Sequence, residues 1–131
     1  MSRFESEREQ IKAALEAAGV EEVCFNKDEV PKKLPAAIVV LDGETGRNGT
    51  VRRFVDTDLA WSVYLIVNAT RADDPDKDLY ELKEDFRAEY QDSMYRDIPE
   101  IEYYTSRVDG ARLVRVARLV LVPSPKGGGS A

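Results

Sequence analysis

The sequence contains no histidine and only one cysteine, Cys24. Without histidine, a Ser-His-Asp triad, a Cys-His pair and a histidine-based zinc site are excluded. With one cysteine, neither an intramolecular disulfide nor a thiolate metal cluster can form. No apolar run approaches the roughly 20 residues that a membrane helix needs. The opening stretch MSRFESEREQ is too charged for a signal peptide. Basic residues are the minority, 19 Lys and Arg against 25 Asp and Glu, which leaves a net charge of −6. That balance argues against generic nucleic-acid binding, for which a basic face is expected. The expectation is an intracellular, reduced setting, with no nucleic-acid partner, no membrane partner, no metal and no cofactor.

What is present is enough for one domain. A chain of 131 residues buries roughly two-thirds of its unfolded surface on folding, so a core needs no staples. The 43% hydrophobic and 34% charged content suits a globular fold. Residues 1–123 are read as a single domain. Residues 124–131 belong to a flexible tail, since PSPKGGGSA, which begins at Pro123, offers no core residue. No internal repeat is visible.

Residues 2–19 have helical spacing. Ser2 and Glu5 stand at capping-box distance, and Phe4, Ile11, Leu15 and Ala18 follow one face, which Arg8 interrupts. Gly19 suits the conformation that stops a helix. The short run 22–26, EVCFN, reads as a strand that buries Cys24 as an inert thiol, because nothing around it points to a lowered pKa. Pro31 and Pro35 keep the polar connection 27–34 irregular. The apolar run 36–42, AAIVVLD, is too short for a good helix and reads as a buried strand.

Strands are expected at 50–56 and 59–69, joined by Thr57 and Asp58. In the second of them Trp61, Val63, Leu65 and Val67 share one face, expected to meet the helices. Ser62, Tyr64, Ile66 and Asn68 share the other, which is half apolar. Residues 74–95 read as a second helix, with Asp74 as cap, Pro75 in the first turn and a core stripe of Leu79, Leu82, Phe86, Tyr90 and Met94. A closing hairpin follows, IEYYTSRV and ARLVRVARLVLV on either side of Asp109-Gly110. The sum is an α+β fold: a mostly antiparallel, mixed β-sheet with two α-helices packed on one face.

Three stretches invite chemistry. The first, LDGETGRNGTVRR at 41–53, carries Gly43, Gly46 and Gly49 but no lysine of the kind a phosphate-cradling loop requires, and a strand rather than a helix follows. It is either a solvated connection or a partner-dependent arm over 42–53, and its length exceeds the two to five residues usual in a hairpin. An arm that orders only against a partner gives up roughly 1–2 kcal/mol of backbone entropy per residue fixed. The second is DDPDKD at 73–78. Asp74, Asp76, Asp78 and Asp85 fit four positions of a calcium loop, but Leu79 stands where glycine must make the turn. Carboxylates at a helix start are favoured by the macrodipole in any case, so a helix cap is expected. In the third, Tyr103 and Tyr104 lie near Arg107, Arg112, Arg115 and Arg118, a pattern compatible with base stacking. Alternation sends Arg112 and Arg118 to one face and Arg115 to the other, which breaks up a basic platform.

Charge is unevenly spread. From Asp74 to Arg96 there are eight acidic and four basic residues, and from Glu102 to Arg118 two acidic and four basic. Two such surfaces suit either ordinary solvation or head-to-tail pairing, which joins different patches.

The N-terminal helix ending AALEAAGV, the strand LPAAIVVLDG, the long strand AWSVYLIVNAT, the acidic helix DLYELKEDF and the final strand ARLVRVARLVLVP together resemble the tail terminator, or tail completion, proteins of tailed bacteriophages and prophages. The resemblance is one of element order over most of residues 4–123. It implies a non-enzymatic structural subunit in the virion tail, assembled in the host cytoplasm. It also implies a homo-oligomeric ring, often hexameric, that caps the tail tube and meets the head-side connector. Interface candidates then follow from composition: Glu44, Arg47, Arg52 and Arg53 in the arm, Glu81, Glu84 and Glu89 on the acidic helix, and Arg112 and Arg118 on the last strand. The competing readings are a small ligand-binding or regulatory module acting as a dimer, with a concave site at Tyr64, Tyr103 or Tyr104, and an enzyme that brings two carboxylates together in a cleft.

Overall fold

The computed structural model describes residues 2–46, 57–70, 73–93, 96–108 and 112–123. Helix α1 (Arg3–Ala17) begins as its sequence dictates: the Ser2 hydroxyl accepts the Glu5 amide at 3.1 Å, and the Glu5 carboxylate accepts the Ser2 amide at 3.1 Å. It ends at Gly19, whose φ of +107° lets the Gly19 amide return to the Glu16 carbonyl and the Val20 amide to the Leu15 carbonyl, each at 3.1 Å. Helix α2 (Pro75–Ser93) is capped by Asp74, which accepts the Lys77 amide at 3.2 Å.

Five strands follow the order β1-β2-β3-β5-β4 across one sheet: β1 (Glu22–Cys24), β2 (Ala36–Gly46), β3 (Thr57–Asn68), β4 (Arg96–Val108) and β5 (Arg112–Pro123). Only β1 and β2 pair in parallel; the other three pairings are antiparallel. Alternation along β3 divides the sheet as expected. Trp61, Val63, Leu65 and Val67 join Val39 of β2 and Leu119 of β5 against Ile11, Leu15, Leu79, Phe86 and Tyr90 of the helices. The opposite face gathers Cys24, Ile38, Ile66, Val114 and Val116, with no helix over them among the described residues. The fold is therefore α+β, a mixed sheet with both helices on one face. Met94, the expected end of the α2 stripe, lies outside the described residues.

Two expectations near the arm are corrected. Thr57 and Asp58 form no connection: they begin β3, opposite Gly46 and Thr45. Residues 43–46 are likewise no loop. They extend β2 past a register shift between Leu41 and Gly43, and the ladder runs on to Gly46 and Thr57. A bulge lets a strand absorb an irregular residue and continue, which glycine content alone does not reveal. The expected strand at 50–56 lies outside the described residues, as do Asp109-Gly110 and the tail 124–131. The last hairpin closes with Val108 opposite Arg112.

Arg8 is also more than an interruption of the helix face. Its guanidinium lies 4.7 Å from the Phe4 ring centroid and 4.3 Å from that of Phe25, a cation–π sandwich between α1 and the end of β1. One position earlier, the buried Glu7 accepts the Trp61 indole N–H at 3.0 Å.

Candidate interaction surfaces

Three surfaces are built by these elements: a two-stranded ribbon, the open face of the sheet, and a hollow beside α2. The ribbon comes from unequal strand lengths. Pairing of β3 with β5 starts at Trp61 opposite Leu121, whereas pairing of β2 with β3 continues to Gly46 opposite Thr57. Residues 43–46 and 57–60 thus pair with each other beyond the last β3–β5 pair. Glu44, an interface candidate, is exposed on this ribbon opposite Leu59. Arg47, Arg52 and Arg53 fall in 47–56, outside the described residues.

The open face has a polar end and an apolar end. At the polar end the Asp42 carboxylate accepts the Ser62 hydroxyl and lies 3.6 Å from Arg118, which also approaches Glu102 at 3.5 Å. A hydrogen bond to the Tyr64 oxygen, ahead of those two carboxylates, holds Arg118 firmly charged. The adjacent Tyr104 phenol is pushed above its ordinary pKa, chiefly by burial and then by Tyr64 and Glu102. Arg118 is therefore committed within its own chain. So is Arg112, which donates to the Pro31 carbonyl at 2.6 Å.

At the apolar end the 27–34 connection forms a strap over the sheet. The Glu22 carboxylate holds it, accepting the Lys32 amide at 2.9 Å and the Lys33 amide at 3.0 Å. Under the strap lies a hollow of about 300 Å³ lined by Ile38, Tyr64, Ile66, Tyr104 and Val114, with the Lys27 ammonium 5.6 Å from the Tyr64 ring centroid. Cys24, beside Glu22 at 3.6 Å, is pushed up to about 11, first by burial and then by Glu29 and Glu22. A thiol so protonated is a structural group, not a nucleophile.

The amide bonds from Lys33 and Lys32 hold the Glu22 carboxyl below the ordinary value of 4.5. A depressed folded-state pKa stabilises the strap above the unfolded value, and that contribution is lost as pH falls through the folded one. The Lys32 and Lys33 amide proton resonances are therefore expected to shift together on acidification, with a midpoint below 4.5. Glu22→Ala should remove the transition; amides that titrate unchanged in that variant contradict the clamp.

The third surface adjoins the end of α1. A hollow of about 410 Å³ has Ala18, Leu34, Val67 and Leu82 as its floor and Asp78, Glu81 and Asp85 of α2 at its rim. Of the remaining acidic candidates, Glu84 is spent on Lys83 and on Arg87 at 3.7 Å, and Glu89 is exposed near the end of α2. Asp76 pairs with Arg115 at 2.8 Å, which with the Asp74 cap accounts for two of the four carboxylates once compared with a calcium loop; the other two, Asp78 and Asp85, stand on the hollow. Among the described residues no three His, Cys, Asp or Glu side chains converge on a metal position. Sequence reasoning missed the strap and the acid-rimmed hollow. Both depend on contacts between distant segments, and the only local signal was the proline pair bounding the connection.

No protein-family model and no curated protein matches the chain.

Proposed function

We propose that the chain is a structural assembly protein, a ring-forming tail terminator subunit that caps a phage tail tube and joins it to the head-side connector. The observation that carries this reading is the β2–β3 ribbon. It extends past the last β3–β5 pair at the segment whose composition suggested an arm, and a two-stranded ribbon is marginal by itself in water. A second surface therefore has use for it. The acidic face of α2 and the arginine-bearing β4–β5 hairpin lie on different elements, as head-to-tail contact requires, and such contact closes a ring when its rotation closes. The partners are other copies of the chain, the tube protein and a connector protein, with the tail of the virion as the site of action.

The test is to add the purified chain to tail tubes lacking their terminator and image the tube ends. Ring-shaped caps that render tubes competent to join heads are the expected result. Bare ends at saturating protein contradict the reading.

One observation favours a second reading, a ligand-binding or regulatory dimer: Tyr64 and Tyr104 do line a concave site under the strap. That reading calls for a dimer in solution and saturable binding of a small apolar compound, neither of which needs a tube.

A further inference from the structure

The charges that remain unspent among the described residues point to one pairing. Besides Arg96, four arginines stand on the β4–β5 hairpin. Arg112 is bonded to the Pro31 carbonyl, Arg115 to Asp76, and Arg118 to Asp42 and Glu102. Arg107 is exposed and, among the described residues, has no ion-pair or hydrogen-bond partner for its side chain. Along α2, Asp76 and Glu84 are likewise spent, whereas the side chains of Asp78, Glu81 and Asp85 have no such partner among the described residues. Those three carboxylates are the ones that rim the 410 Å³ hollow.

Apolar surface follows the same division. Tyr103 is 39% exposed. By register it shares the helix-side face of β4 with Arg107, because Tyr103 lies opposite Ala117 and Arg107 opposite Leu113, and at this sheet edge Arg107 also borders the strap hollow of the other face. The two positions are about 13 Å apart at the strand rise of roughly 3.3 Å per residue. Asp78 and Asp85 are about 10 Å apart at a helical rise of roughly 1.5 Å per residue. Strand β4 is an edge of the sheet, while the hollow adjoins Leu34 and Pro35 at the start of β2, on the other side of β3 and β5. One copy cannot present both surfaces to itself, and two copies can.

We propose that the occupant of the acid-rimmed hollow is a second copy of this chain, which inserts Tyr103 onto the floor of Leu34, Val67 and Leu82 and sets Arg107 among Asp78, Glu81 and Asp85. The pairing rests on the assembly reading and supplies its heterologous contact, with Arg107 in the role first assigned to Arg112 and Arg118. An aromatic anchor on an apolar floor provides affinity, and the charges fix register.

The test uses the full chain, in sedimentation velocity over a concentration series and on tube ends. Arg107→Glu and the rim reversal Asp78→Lys/Glu81→Lys/Asp85→Lys, all at exposed positions, should each keep the wild-type circular dichroism spectrum. Each should raise the concentration for half-association by about tenfold or more, as like charges are brought together. In an equal mixture every contact between unlike copies is either wild-type or charge-swapped, so association should return, and a chain carrying both changes should associate alone. Individual variants that associate like the wild type, or a mixture no better than its components, overturn the pairing; ring formation in those same samples leaves the assembly reading standing. Individual variants that still self-associate but fail to bind tubes give the hollow to the tube protein and overturn the pairing too. A wild-type chain that remains monomeric in solution and on tube ends defeats both.

Discussion

Phe86→Ala is expected to destabilise the protein by about 3–5 kcal/mol, a sizeable part of the roughly 5–15 kcal/mol that holds a domain folded. Phe86 is wholly buried and stacks on Tyr90, with ring centroids 5.3 Å apart and planes 21° from parallel. Leu79 and Leu82 precede it on the same face of α2, and Ile11 and Leu15 of α1 belong to the same cluster. Truncation therefore removes an aromatic side chain from between two helices and the sheet, where neighbours are already held in place from several directions. Backbone relaxation can recover little of the cavity. Chemical denaturation should show a midpoint displaced to lower denaturant with an unchanged slope. An unchanged midpoint removes α2 from the core and, with it, the basis for two helices on one face of the sheet.

Much of this core was legible in the sequence because it depends on local periodicity. The spacing of Leu79, Leu82, Phe86 and Tyr90, the alternation of Trp61, Val63 and Leu65, and the Ser2–Glu5 and Asp74 caps are set by neighbours within a few residues. What failed depends on distant ones. Glycines at 43 and 46 suggest a loop, but whether a strand continues is decided by a partner, here Leu59 and Thr57 opposite Glu44 and Gly46. Arg8 reads as a polar fault in an apolar face until the Phe25 ring is brought beside it. The burial of Glu7 likewise depends on a distant residue, Trp61, whose indole N–H it accepts. The interface candidates show the same division. Local composition located the acidic helix and the basic hairpin. It did not reveal that Arg112, Arg118 and Glu84 are already engaged, or that Arg107 and Glu81 have no such partner among the described residues.

The ribbon should be dispensable for folding and indispensable for assembly. Leu59 joins the core, and the ribbon lies beyond the last β3–β5 pair at Trp61 and Leu121. Joining Glu44 directly to Leu59 through Asn-Gly replaces 45–58 with a two-residue turn at an existing pair. Buried Leu59 is kept, and a shorter connection lowers the entropy of the unfolded chain by only about 0.6 kcal/mol per halving of length. The stability of the shortened chain should stay within about 1 kcal/mol of the original, in contrast to Phe86→Ala. On tails the effect should be near total, because on the proposed reading the ribbon is the element offered to the tube. The decisive measurement is the fraction of open tail tubes capped and made competent for head joining by the full-length and the shortened chain at equal concentration. The account predicts capping by the full-length chain and bare tube ends with the shortened one. Equal capping by both, or bare ends with both, contradicts it.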